Sequence, residues 1–120
     1  MKKIMVIDEP EIISFVQKIV DDRCEVVWAS RDEDVMGCLR KENPNIVLMN
    51  YEASECARFG ELLQAIRAEK NDIPILLMSG LDVLTHMPVT ASGCLIKPFP
   101  ERALESFLQR FKIIEEKKDF

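Results

Sequence analysis

The sequence lacks the features that several functional classes require. It contains a single histidine, and its four cysteines are scattered without a C-x-x-C pair, so neither a metal framework nor a disulfide framework is indicated. We expect reduced and mostly packed thiols. The chain also has no apolar run that approaches the roughly 18 residues of a membrane-spanning helix. We therefore expect no membrane association.

An excess of basic residues is also missing. Lysine and arginine number 16 against 21 aspartates and glutamates, which gives a formal net charge of -5. Contact with phosphates needs a clustered basic face, so direct binding of nucleic acid is not expected. A chain of 120 residues is long enough for one domain with its own core. We expect a cytoplasmic domain over residues 1–114, with 115–120 as the end of the last helix or the start of a linker.

Short apolar runs alternate with helical patterns along the whole chain. The runs are residues 4–7, 24–28, 46–49, 73–78 and 94–96. Between and after them, apolar residues recur at helical spacing, as at Ile12, Phe15, Val16 and Ile19. Five strand–helix repeats predict an α/β fold with an open parallel sheet, helices on both faces and right-handed crossovers.

Capping signals and chain breaks indicate where the helices lie. Residues 30–33 form a capping box that opens the second helix, and Ser54 is a candidate cap of the third. The inward positions expected for the third helix are Phe59, Leu62, Leu63 and Ile66. A fourth, short helical segment covers 81–89. The last helix follows the break at 97–100, with inward positions at Leu104, Phe107, Leu108, Phe111 and Ile114. Trp28 ends the second strand, and we expect it to be partly buried.

Polar residues end four of the five predicted strands: Asp8, Asn50, Ser79 and Lys97. Ligands of open parallel sheets bind beyond the carboxyl ends of the strands, so these four side chains should converge on one site. A carboxylate there suits Mg²⁺, and a lysine and a hydroxyl suit a phosphoryl group. The amide of Asn50, however, has no anionic oxygen to attack phosphorus. The sequence predicts a phosphate-type site without its nucleophile.

These residues resemble the receiver domain of bacterial response regulators, over a span from Lys2 to about Ile114. The matching segments are the acidic motif at 8–12, the third strand at 44–50, the following helix at 61–63, the fourth strand with its hydroxyl at 73–80, and the fifth strand with its lysine at 93–99. The resemblance implies the flavodoxin-like (βα)5 fold of chemotaxis-regulator-like receivers, with strand order 2-1-3-4-5. It also implies a role in two-component phosphorelay signalling.

The chain departs from the family pattern at the phosphorylation site. Asn50 lies where the phosphorylated aspartate belongs. The acidic pair is either reduced to Asp8 alone or formed by Asp8 with Glu9, and the sequence leaves both alignments open. Each loss lowers the negative charge that would hold a cation, so we expect at most a weak Mg²⁺ site at Asp8. No cofactor is expected to be required.

Other departures affect the loops and the usual readout of phosphorylation. The glycine-rich loop after the third strand is replaced by residues 51–55, and Cys94 stands where the family has its switching aromatic. The span from Ser79 to Lys97 is also shorter than in the family. Together these changes predict a degenerate pseudo-receiver that keeps the fold and has lost the phosphorylation switch.

The main hypothesis is a non-enzymatic, phosphorylation-independent interaction module. The resemblance implies a partner surface made by helix four, strand five and helix five, which would bind a kinase, a regulator or a further domain of a longer chain. The alternative is a working phospho-receiver that uses Mg²⁺ and an atypical acceptor, either Asp8 or the aspartate that deamidation of Asn50 would produce. A flavin-binding protein is disfavoured because the loop at 8–11 is acidic and contains a proline.

Overall fold

The computed structural model describes residues 1–29, 34–52, 56–80 and 90–115 of the chain. Its elements are β1 (Lys3–Ile7), α1 (Pro10–Val20), β2 (Glu25–Ala29), α2 (Val35–Glu42), β3 (Ile46–Asn50), α3 (Cys56–Glu69), β4 (Ile75–Ser79), β5 (Gly93–Ile96) and α4 (Glu101–Arg110). The short helix predicted at 81–89, the capping box at 30–33 and the cap at Ser54 lie outside the described residues. The α4 helix is the one predicted as the last helix.

The five strands form one parallel sheet in the order β2-β1-β3-β4-β5. This order confirms the predicted fold. The chain first builds β2 on one side of β1 and then crosses to β3 on the other side. The helices are consequently divided between the two faces, with α1 and α4 on one and α2 and α3 on the other.

Each face of the sheet has its own apolar core. Alternate residues of a strand point to opposite faces, so Ile4 and Val6 pack under α1 and α4 while Met5 and Ile7 pack under α2 and α3. The same alternation holds for β3 and β4, whose side chains are completely or almost completely buried. A strand covered on both faces needs an unbroken apolar sequence, and this explains the continuous runs in these strands.

Two helix starts follow from local chemistry. Pro10 is the first residue of α1, where its missing N–H costs no hydrogen bond. The α2 helix begins at Val35, and the side chain of Asp34 accepts a hydrogen bond from the Gly37 backbone N–H at 2.9 Å. Asp34 therefore caps α2. It lies directly after the capping box predicted at residues 30–33, which is outside the described residues.

The last helix is shorter than predicted, because α4 ends at Arg110 and not at Ile114. Lys112 adopts a left-handed backbone conformation with φ 58°, and its N–H donates to the Gln109 carbonyl at 2.9 Å. The N–H of Ile113 donates to the Leu108 carbonyl at 2.8 Å, which completes a Schellman cap. Ile113 and Ile114 are still buried, so the apolar pattern marked core positions beyond the helix. The domain boundary after Ile114 stays a prediction.

Trp28 is partly buried as expected but is not a core residue, since 49% of its surface is exposed. Trp28 lies near the end of β2, which is an edge strand of the sheet. At an edge the sheet covers a side chain on one side only, so a large ring remains in contact with solvent. The apolar run around Trp28 could not reveal this position.

Arg67 ties the end of α3 to the segment that leads into β5. Its guanidinium donates to the Thr90 carbonyl at 2.9 and 2.8 Å and also to the Ile73 carbonyl. Ser92 strengthens the same corner, because its hydroxyl accepts from the Ile75 N–H at 2.9 Å. Burial lowers the pKa of Arg67. These contacts fix the point at which the chain re-enters the sheet after residues 81–89.

Candidate functional site

Polar side chains lie together at the carboxyl edge of the central strands. Asp8 directly follows β1, Asn50 ends β3 and Ser79 ends β4, and all three are buried, with at most 2% of their surface exposed. Lys97 follows β5, and its backbone N–H donates to the Ser79 carbonyl at 2.7 Å. Buried polar groups at strand ends are costly unless they are paired, so their partners determine what the site can do.

Lys97 joins two of these strand ends through its side chain. Its Nζ donates to Asp8 Oδ2 at 2.9 Å and to Asn50 Oδ1 at 3.0 Å. The Asp8 side chain is 1% exposed and the Lys97 side chain is 28% exposed. The ammonium thus neutralises a carboxylate that lies inside the protein. Loss of the ammonium would leave that carboxylate buried without a counter-charge.

The second oxygen of Asp8 is also occupied. Asp8 Oδ1 accepts from the backbone N–H of Glu9 at 2.6 Å, at the amino end of α1, where the helix dipole favours negative charge. Glu9 itself is an exposed residue that precedes the first residue of α1. The sequence left open whether Asp8 stands alone or pairs with Glu9. In the structure the Asp8 carboxylate contacts Lys97, and the backbone N–H of Glu9 donates to Asp8.

Asn50 uses both ends of its amide. Oδ1 accepts from Lys97, and Nδ2 donates to Glu52 Oε1 at 3.1 Å. An amide can accept on one side and donate on the other, whereas an ionised carboxylate can only accept. The arrangement around position 50 therefore matches an asparagine and would not match an aspartate.

Glu52 is a site residue that the sequence analysis did not identify. It lies two residues beyond the end of β3, in the segment that replaces the glycine-rich loop of the family. The backbone N–H of Tyr51 donates to the Met78 carbonyl at 3.0 Å and so extends the β3–β4 ladder past Asn50. The sequence signal that could have identified Glu52 is its position two residues after Asn50.

The hydroxyl of Ser79 contacts a different residue. Ser79 Oγ lies 3.2 Å from Cys94 Sγ, and Cys94 packs against the core under α2 and α3. Asp8, Asn50 and Lys97 are thus joined by side-chain hydrogen bonds, while Ser79 shares only a backbone contact with Lys97 among the hydrogen bonds of the described residues. Position 94, where the resemblance implies an aromatic, holds the partner of the Ser79 hydroxyl.

The donor set fits a divalent cation poorly. Both oxygens of Asp8 and the oxygen of Asn50 already accept hydrogen bonds, and the Lys97 ammonium lies within 3.0 Å of two of these oxygens. Mg²⁺ binds through oxygen ligands, and each of these oxygens already has a hydrogen-bond donor. Within the described part of the chain, no group of three or more His, Cys, Asp or Glu side chains is arranged to hold a metal ion.

Comparison with known sequences gives distant relatives. No protein-family model matches the chain. Proteins described as probable transcriptional regulator ycf27, from Porphyra purpurea and Pyropia yezoensis, are each 28% identical to it over 88% of this chain. The match covers 45% of each relative. The chain thus spans less than half the length of these curated relatives.

Comparison with solved structures identifies the fold. The response regulator TrrA of Thermotoga maritima, in complex with Mg²⁺ and BeF, has a TM-score of 0.78 at 22% identity, covering 92% of this chain and 99% of that one. The chemotaxis response regulator CheY4 of Vibrio cholerae has a TM-score of 0.76 at 23% identity, covering 92% and 98%. A CheY-like protein (tadZ) of Pseudomonas aeruginosa has a TM-score of 0.80 at 13% identity, covering 92% and 99%. The chain has the fold of response-regulator receiver domains, so the fold that the resemblance implied is confirmed.

No helix in the described part of the chain combines the length and the apolarity that a membrane span needs.

Proposed function

We propose that this chain is a receiver-like signalling domain of two-component type that binds a protein partner without being phosphorylated. The observation that carries the proposal is the amide of Asn50 at the end of β3, hydrogen-bonded to Lys97 on one side and to Glu52 on the other. An amide supplies no anionic oxygen for attack on a phosphoryl donor. It also carries neither the charge nor the three acceptor oxygens of a phosphoryl group, so it does not imitate the phosphorylated state.

The alternative acceptors receive little support. Asp8 has one oxygen bound to Lys97 and the other to the Glu9 N–H, so neither is free to approach phosphorus. Deamidation of Asn50 would replace the group that donates to Glu52 by a second carboxylate. A working phospho-receiver with Mg²⁺ is therefore the weaker candidate. We assign no catalytic residue to the chain.

The proposed partner surface includes β5 and α4, together with residues 81–89, which lie outside the described residues. β5 is an edge strand, and all four of its residues are half-buried. α4 turns Leu104, Phe107 and Leu108 to the core and leaves charged residues such as Glu101 and Arg102 exposed. An edge strand beside a polar helix face can accept a partner without disturbing the core.

The partner is proposed to be a kinase or a further domain of a longer protein. The curated relatives are described as transcriptional regulators, and the chain covers 45% of their length. In a longer protein of that kind, the receiver-like domain would act on the domain joined to it. The charge of -5 supports contact with protein over direct contact with nucleic acid.

The test is a two-dimensional amide NMR titration with Mg²⁺ followed by beryllofluoride, a phosphoryl mimic, with intact-mass analysis after incubation with acetyl phosphate. We expect no saturable shifts around Asn50, Ser79 and Lys97 and no added phosphoryl group. The domain of a homologous receiver that retains the aspartate serves as the positive control. Saturable shifts that reach α4, or a phosphorylated product, would overturn the proposal.

A further inference from the structure

We propose that the outer edge of β2 is a self-association surface, at which two copies of this chain pair their β2 strands antiparallel across a two-fold axis. β2 is the last strand on one side of the sheet, and in the described part of the chain only β1 pairs with it. This edge is separate from the β5 and α4 surface of the proposed function. The inference does not depend on whether the chain is phosphorylated.

The backbone groups of alternate β2 residues point away from β1. The N–H of Glu25 donates to the Lys2 carbonyl at 2.9 Å, so the backbone groups of Glu25 point toward β1. Successive residues of a strand direct these groups to opposite sides, and those of Val26 and Trp28 therefore point outward. The Cys38 thiol lies 3.9 Å from the Trp28 carbonyl, a long contact that leaves the second lone pair of that oxygen for another donor. Val26 and Trp28 thus offer donors and acceptors to an added strand.

β2 lacks the features that commonly prevent strands from pairing at the edge of a sheet. Natural edge strands are protected by lysine, by proline or by a bulge. β2 contains neither lysine nor proline, and it pairs with β1 in an unbroken register. Within the described ranges, Met1 and Trp28 are the large apolar residues that are exposed, and 49% of the surface of Trp28 is exposed. An added strand would therefore cover apolar surface as well as open backbone groups.

The β2 strand is complementary to itself in one register. With the two-fold axis at Val27, Val26 of each copy lies opposite Trp28 of the other. Because these are the residues whose backbone groups point outward, each pair of Val26 with Trp28 exchanges two hydrogen bonds. Opposed side chains lie on the same face of a sheet, so the exposed indole of one copy packs on the valine of the other. Such pairs of an aromatic and a β-branched residue stabilise antiparallel strands.

The charges around this edge favour a second copy over a strongly charged partner strand. A groove of about 300 Å³ lies between β2 and α2 and is lined by Val26, Val27, Trp28, Cys38 and Glu42. Its one charged lining residue, Glu42, is paired with Lys3 Nζ at 3.0 Å and is thus already neutralised. In the proposed register Glu25 lies opposite Ala29 of the other copy, so the two Glu25 carboxylates stay apart. The surfaces that meet are therefore uncharged, as β2 itself is at its centre.

The size of the edge indicates a weak association. A strand of five residues is about 17 Å long, which is short for an interface of the standard size of about 800 Å² per partner. Each copy also carries a net charge of -5, and these charges repel each other unless salt screens them. We therefore expect the dimer fraction to rise with protein concentration and with ionic strength.

The experiment is amide hydrogen exchange of the wild-type chain, followed by NMR from micromolar to millimolar protein. We expect exchange at Val26 and Trp28 to slow by about tenfold at the highest concentration, because their outward N–H groups become bonded. Exchange at Val27 and Ala29, whose N–H groups already face β1, should change little. The emission of Trp28, the single tryptophan, should shift to shorter wavelength over the same range. In a mixed sample of labelled and unlabelled chains, intermolecular NOEs should join the Trp28 ring to the Val26 methyl groups.

A lysine at the edge tests the same surface by mutation. Trp28→Lys places an edge-protecting charge at an exposed position and should weaken self-association by about tenfold or more. Gln64→Lys is the matched control, because it adds the same charge at an exposed position of α3. Association that persists in Trp28→Lys would contradict the inference. Exchange that stays fast at Val26 and Trp28 in millimolar wild-type protein would overturn it without any variant, and would leave a strand of another protein as the candidate occupant of the edge.

Discussion

The amide nitrogen of Asn50 donates a hydrogen bond to the carboxylate of Glu52 across 3.1 Å. Because of this contact, the side chain at position 50 has to be a hydrogen-bond donor toward Glu52. A carboxylate at position 50 would face Glu52 with an oxygen in place of a donor, and both groups would be negatively charged. Asparagine is thus part of a fitted arrangement, and a single reversal to aspartate should not restore an ordinary receiver site.

Asn50→Asp should lower stability in the absence of divalent cations. The substitution replaces a hydrogen bond to a charged group with a carboxylate–carboxylate contact, for which we expect a loss of about 1–2 kcal/mol in the free energy of unfolding. Thermal unfolding without Mg²⁺ measures this. Asn45→Asp is the matched control, because Asn45 Oδ1 accepts from the Lys3 N–H at 2.8 Å and an aspartate can do the same. A higher melting temperature for Asn50→Asp would refute the argument.

Glu52→Gln should rescue much of that loss when it is combined with Asn50→Asp. The glutamine can donate from its amide to the new carboxylate and removes the opposing charge. In the wild-type background the same Glu52→Gln change should have a small effect, since its amide oxygen can still accept from Asn50. Unfolding free energies of the two single variants and the double variant form a double-mutant cycle. Simple additivity of the two changes would contradict the direct contact.

Lys97→Met should destabilise the domain by about 3 kcal/mol, because it leaves the Asp8 carboxylate buried without a counter-charge. The double variant Asp8→Asn with Lys97→Met should lose less than Lys97→Met alone, since the stranded charge is removed as well. Chemical denaturation in a buffer without divalent cations tests both. Equal losses for the single and double variants would mean that the ion pair is not what Lys97 provides.

Cys24 gives a prediction about pH. Burial raises the pKa of its thiol, so the thiol stays protonated in the folded chain at a pH where the unfolded chain begins to ionise. The stability from this group is therefore fully present below the unfolded value of about 8.5 and is lost as the pH rises toward the folded value. The free energy of unfolding of the wild type should decline more steeply above pH ~8.5 than that of Cys24→Ala.

Thiol labelling provides an independent check of the same site. Only the thiolate reacts, so Cys24 should be modified later than Cys94, which is half-buried. Peptide mapping after a short exposure to a thiol reagent identifies the modified residue. Labelling of Cys24 before Cys94 in the folded protein would show that the thiol is not shielded.

Much of the fold could be predicted from the sequence. Strands that are buried on both faces of a parallel sheet consist of continuous apolar residues, as at 46–49 and 75–78. The end of α4 could not be predicted, because Ile113 and Ile114 are buried like helix residues although Lys112 has already turned the chain. The exposure of Trp28 depends on its place at the sheet edge, which one apolar run does not encode.

The sequence predicted which residues form the candidate site, but it did not predict all of the contacts between them. The ends of the strands identified Asp8, Asn50 and Lys97, because topology alone brings those ends together. The contact of Ser79 with Cys94 and that of Asn50 with Glu52 depend on side-chain direction at the last residue of a strand. Spacing along the chain carries no information on that direction.

The contacts of Arg67 bear on how the last strand of the sheet is anchored. They hold Thr90 at a fixed point, while the β4 strand holds Ser79 at another. The hydrogen bonds of Arg67 with Thr90 and the pairing of β4 with β5 are formed by residues on either side of 81–89. The position of β5 beside β4 is thus anchored from within the described part of the domain.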